Sequence, residues 1–176
     1  FTSLVQFLTK ALNMSFAAIS VYDEVDDRMV RTVAICMDGE IKENFSYDLT
    51  NTPCAKVIDR GLCIYPQQAK DFFPEDELLA SMDVESYIGV RLRGSAGIPL
   101  GLLVVMDSSP LEASGTITSM LQIYASRVAA ELERNKQEDE LVRVRSLESL
   151  GRMAAGIAHE VNNPLTNASI NIQMLR

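Results

Sequence analysis

The chain has 176 residues, of which 47% are apolar and 23% charged, and its 24 acidic side chains outnumber 16 basic ones for a net charge of −8. This is the composition of a folded soluble chain with a real core, long enough for one domain or one and a fraction. It holds no run of about eighteen apolar residues that would predict a membrane-spanning helix. Residues 136–176 carry five basic and five acidic side chains, so the acidic surplus lies before 136 and argues against a nucleic-acid partner, which needs a basic patch.

Phe1 to Leu12 places apolar residues at 1, 4, 5, 8, 11 and 12, which predicts a helix closed by Asn13. Ser15–Tyr22 reads as a strand rich in β-branched and aromatic residues. Asp23–Asp27 is a turn, Met29–Met37 a second strand, Asp38-Gly39 a further turn and Phe45–Leu49 a shorter strand. Thr52-Pro53 opens a helix and Gly61 stops it. The threonine supplies a cap, the proline has the right φ for the first helical position, and glycine tolerates the backbone beyond the end. Leu62–Tyr65 is a short strand. The acidic stretch Asp71–Met82, interrupted by Pro74, carries a short helix around 75–81. Ser86–Leu92 and Leu100–Met106 are strands joined through Gly94-Ser95-Ala96-Gly97, a hairpin. Ser114–Glu133 returns to helical spacing. The expected class is α+β, a central antiparallel sheet with helices on one side, followed by a long coiled-coil helix.

Several of these segments resemble a GAF domain over roughly residues 1–135: Asn51-Thr52-Pro53-Cys54, Gly61-Leu62-Cys63-Ile64-Tyr65, Ser86-Tyr87-Ile88-Gly89-Val90, and the run from Gly97 to Val105. Arg91 departs from the pattern, where many relatives have proline. The resemblance implies a GAF-type sheet with flanking helices and a pocket for a small molecule, or else a dimerising relay. The ligand is narrowed by exclusion. No histidine precedes His159 to hold a haem. Lys70, Phe73, Asp76 and Glu77 only faintly echo a cyclic-nucleotide signature and are better explained as an acidic solvated loop, and no Asp or Cys spacing suits a metal. The cysteines, Cys36, Cys54 and Cys63, are odd in number and form no CxxC pair, which suggests free thiols in a reducing compartment. Cys54 or Cys63 could chemically carry a bilin thioether, but a buried structural thiol is the simpler reading.

Beyond Leu132 the chain is charged and helix-favouring, with no flexible linker. Val128, Leu132, Asn135, Asp139 and Val142 keep a three-four rhythm with polar residues at two seam positions, and Leu147 follows by five, which breaks register. Leu147, Leu150, Ala154, Ile157 and Val161 then form a new seam. The sole histidine, His159, lies two positions past Ile157, about 200° round the helix, so it faces away from that seam. Taken alone, it reads as a solvated surface residue. A zinc site of the His-Glu-x-x-His kind would need histidine at Asn163 and fails.

The neighbours change the reading. Ala158-His159-Glu160-Val161-Asn162-Asn163-Pro164-Leu165-Thr166, after Leu147-Glu148-Ser149-Leu150-Gly151-Arg152-Met153-Ala154-Ala155-Gly156, resembles the H-box of sensor histidine kinases, on the first helix of their dimerisation and phospho-acceptor (HisKA) domain. The resemblance implies that His159 accepts the γ-phosphoryl group of ATP and passes it to an aspartate of a response-regulator receiver domain. A neutral imidazole is accessible near neutral pH, and Glu160 is placed to fix its tautomer. Asn163, one turn on, orients water for dephosphorylating the regulator in that family. Pro164 should kink the helix. The expected organisation is a GAF sensor domain at 1–135, a helical coiled-coil linker at 136–146, and a truncated first HisKA helix at 147–176. A parallel homodimer is expected, because the seam is apolar. No cofactor is expected in this chain; ATP and Mg2+ belong to an ATP-binding domain of the parent kinase, so the chain alone should be inactive. The expected location is cytoplasmic. The opening at Phe1, without a leader, has the look of a piece of a longer protein that could carry a membrane segment upstream.

Overall fold

A computed structural model describes the backbone of residues 1–23, 25–26, 28–112 and 115–174, and the side chains among these up to 147 together with that of Leu150. The chain divides into two compact units, Phe1–Glu133 and Arg134–Arg176. The first opens with α1 (Thr2–Leu12), closed by Asn13 in the left-handed region at φ 52°. The chain turns there into β1 (Phe16–Tyr22) and returns as β2 (Met29–Met37). β3 (Glu40–Ile41) and β4 (Ser46–Asp48) both pair with β2. Next come α2 (Pro53–Arg60), β5 (Leu62–Tyr65), α3 (Ala69–Phe72) and α4 (Glu77–Ser81). The hairpin β6 (Ser86–Arg93) and β7 (Pro99–Asp107) leads to α5 (Gly115–Met174).

The sheet runs β3-β2-β1-β7-β6-β5, with β4 off this path, and the pairings are antiparallel. β1 and β7 sit at its centre because they are apolar on both faces. Side chains alternate across a strand, so each face takes every second residue. Ala17, Ile19, Leu103 and Val105 pack with Val5 and Leu8 of α1 and with Leu121, Ala125 and Val128 of α5. Phe16, Ala18, Leu102, Val104 and Met106 belong to the opposite core, with Val57 of α2 and Leu79 of α4. The expectation of helices on one side is therefore corrected: short helices cover the second face as well, anchored by deeply buried apolar residues such as Val57 of α2 and Leu79 of α4. Full burial of such a side chain stabilises by roughly 1.5–3 kcal/mol.

Two residues explain local features of the sheet. A Cβ on Gly101 would lie 1.9 Å from the Ser20 carbonyl oxygen, next to the irregularity of β1 between Ile19 and Ser20, so only glycine lets β7 approach there. Arg91 departs from the proline of many GAF sequences for a visible reason. Its backbone N–H donates to Gly61 O at 2.8 Å, which proline could not do, and its guanidinium donates to Ile58 O at the end of α2. A cation there also complements the negative end of the helix dipole.

Among the described residues, no helix is long and apolar enough to cross a membrane.

Candidate functional site: a cavity with an acidic rim

A cavity of about 570 Å³ opens between the sheet and the helices of its second face, a size typical of small-molecule sites. Its floor is apolar, built by Phe16 and Ala18 of β1 and Val104 and Met106 of β7. These side chains point there because they alternate with the residues that face α1 and α5. Tyr47, Cys54 and Tyr87 contribute polar atoms to the wall. Cys54 Sγ lies 3.2 Å from the Tyr87 hydroxyl and 3.6 Å from that of Tyr47, which in turn lies 3.4 Å from Ser20 Oγ. Burial pushes the Cys54 thiol up, and burial likewise holds both phenols well above their ordinary value. All three groups are thus neutral at physiological pH. A protonated, buried thiol is a poor nucleophile, which favours the structural role for Cys54 over a thioether.

The position of Cys54 follows from the capping of α2. Thr52 Oγ1 accepts from Ala55 N at 3.3 Å and donates to Leu49 O at 2.7 Å, with Pro53 at the first helical position. This fixes where α2 begins and turns its first buried residues, Pro53 and Cys54, inward. Asp76, also in the lining, caps α4, its Oδ1 accepting from Leu78 N at 3.1 Å and Leu79 N at 3.2 Å. Burial nevertheless raises the Asp76 carboxyl above its usual range, outweighing those two bonds. Glu75 accepts from Asn51 Nδ2 at 2.6 Å, which ties the two sides of the mouth together.

Asp48, Glu75, Asp76 and Glu77 line the cavity, and among the described residues no lysine, arginine or histidine does. Lys70 is occupied elsewhere, 2.6 Å from Asp83 and 2.8 Å from Glu85. The reading of Lys70, Phe73, Asp76 and Glu77 as an acidic solvated loop is corrected at two points. Phe73 is buried and Asp76 is half-buried at the cavity, because α3 and α4 fold this stretch against the sheet. Among the described residues no group of three or more His, Cys, Asp and Glu side chains is arranged to hold a metal ion. Of the residues singled out for phosphoryl chemistry, His159, Glu160 and Asn163 lie within the span of α5, in the part whose side chains are outside the described residues.

No family model matches the chain. The sheet unit is similar to the GAF domain of a phosphoenolpyruvate-protein phosphotransferase from Acinetobacter, with a TM-score of 0.57 and 16% identity over 73% of this chain and 77% of that one. The fold is the GAF fold. It is equally similar to a type II free methionine-R-sulfoxide reductase from Thermoplasma acidophilum, with a TM-score of 0.59 and 17% identity over 73% of this chain and 86% of that one. The GAF fold thus serves proteins of unlike activity, and function has to come from the site and the sequence. In sequence, the chain is 26% identical over 147 residues to hybrid signal transduction histidine kinase F of Dictyostelium discoideum, a match that covers 84% of this chain and 12% of that protein. The chain therefore spans about an eighth of the length of this relative.

Proposed function

We propose that this chain is the sensory and phospho-acceptor portion of a two-component histidine kinase. The likeness to the Dictyostelium kinase carries the reading. Its matched span of 147 residues is longer than Phe1–Glu133, so it reaches past the sheet unit along the helix that bears the motif around His159. In this reading the cavity holds the signal molecule, residues 136–146 link it to the output, and 147–176 present the acceptor histidine. An imidazole nitrogen of His159 forms the bond to phosphorus as the bond to ADP breaks, Glu160 orients the ring, and Asn163 positions water when the receiver domain is dephosphorylated. ATP and Mg2+ are supplied with the ATP-binding domain of the longer protein.

The second unit supports a partner helix. Leu141, Val142, Val144, Leu147 and Leu150 are between 46% and 65% exposed along α5. A helix with this much exposed apolar surface gains by packing on a second copy, and a parallel homodimer places both acceptor histidines on one bundle. The test is phosphate incorporation into the longer native chain that includes its ATP-binding domain. Acid-labile phosphate should appear in the wild type and vanish in His159→Gln; incorporation that survives the substitution sinks the acceptor role. A second reading, a non-enzymatic GAF module that binds a ligand or dimerises, is favoured by the well-formed cavity alone, and the same experiment separates the two.

A further inference from the structure

We infer that the cavity selects a small organic cation with an apolar body, such as a protonated or quaternary amine. The inference deepens the sensory reading above and rests on it. Its first support is the charge of the lining. Four carboxylates, Asp48, Glu75, Asp76 and Glu77, surround a cavity to which no basic side chain among the described residues contributes. An anion entering it would meet like charge without a donor of positive charge to hold it. Phosphates, carboxylates and the propionates of a tetrapyrrole are disfavoured on this ground. Arg28 acts on Asp48 of the rim, but it also bonds Asp26 and lies outside the lining.

The second support is independent of charge. Phe45 and Tyr47 pair at the cavity with ring centroids 5.7 Å apart, and Phe16 and Tyr87 add two further rings to the lining. Ring faces attract a cation placed within about 6 Å, more strongly when water is excluded. Aromatic walls beneath a carboxylate rim are the complement of an ammonium head on an apolar stem. A bare metal ion does not fit this description, since the described acidic and thiol groups do not converge as a metal site. The neutral hydroxyls of Tyr47 and Tyr87 can exchange their bonds for one to a donor or acceptor on the stem.

The test compares three probes of similar size on the whole chain: phenethylamine, 2-phenylethanol and 3-phenylpropionate. Binding is read by calorimetry and by the shift in Tm, at low and at raised salt. The amine should bind about tenfold more tightly than either of the others, and its advantage should shrink as salt screens the rim. Glu75 and Glu77 are exposed, so Glu75→Gln combined with Glu77→Gln should leave the fold intact and reduce the amine's advantage to about threefold or less. Glu75→Lys should shift the preference toward 3-phenylpropionate. If the alcohol or the carboxylate binds as tightly as the amine, the cavity remains a ligand site and the cation inference is overturned. If none of the three binds at millimolar concentration, the cation inference falls, while the His159 experiment still decides the kinase reading separately.

Discussion

At the scale of single residues, a few close approaches govern whether the sheet forms and how its site is charged. Gly101 is the clearest. A methyl group there would meet the Ser20 carbonyl at 1.9 Å, and because the obstacle is backbone it cannot swing aside. Gly101→Ala should lower the unfolding free energy by about 2–3 kcal/mol, read from the urea midpoint at unchanged slope. Arg91 is a softer case. Arg91→Met keeps the stem but leaves Ile58 O without its charged donor, at a cost of about 1–2 kcal/mol. Asp76 sets a pH dependence. Burial holds its folded carboxyl above the ordinary value of 3.8, so between those two values the folded state binds more protons than the unfolded one. This group's contribution to stability therefore falls as pH rises through that window. Asp76→Asn retains an oxygen for the α4 cap and removes the titration. The variant should gain relative to the wild type above the raised value and lose that gain below pH 3.8, as followed by denaturation across pH.

Elements differ in how far their own residues announce them. β2 occupies Met29–Met37 and β5 occupies Leu62–Tyr65, the bounds expected from the sequence. α2 begins at Pro53 behind a Thr52 cap and ends at Gly61 with φ 84°, because capping chemistry is local and written in three residue types. Thr52→Ala should therefore cost about 1 kcal/mol in thermal or chemical unfolding, with Ser recovering most of it. The elements that give no local signal depend on distant contacts. α3 is four residues long, starts behind Gln68 in the left-handed region at φ 60°, and carries no periodic pattern. β3 has two residues, Glu40 and Ile41, both exposed, and exists by pairing with Met37 and Cys36. The acidic rim is legible as composition but not as a site, since only the folding of α4 over the sheet half-buries Asp76 at the cavity that Tyr47 and Cys54 also line. For His159 the motif is legible and the side-chain geometry lies outside the described residues.

Within the sheet unit, Phe1–Glu133, two apolar cores lie on opposite faces of one sheet. In the proposed kinase, a signal sensed on the α2–α4 face has to reach α5, whose residues up to Glu133 pack on the other. The seam from Val128 to Val142 includes Asn135 and Asp139, both weak seam residues, and Leu147 follows out of register. Replacing Asn135 and Asp139 with Leu should hold the helix in one arrangement and make autophosphorylation of the longer chain insensitive to a cavity ligand; an unchanged ligand response would refute the junction as a switch. The same division has a kinetic use. Cys36 is sealed in the core under α1 and α5, while Cys54 and Cys63 belong to the core under the short helices, and all three are free thiols. Cys36, fully buried, can react with a thiol reagent only when its own layer opens, whereas Cys54 lines the cavity and is reached through it, so the labelling rates clock the two faces separately. A compound seated in the cavity should slow the Cys54 clock and leave the Cys36 clock running at its own pace.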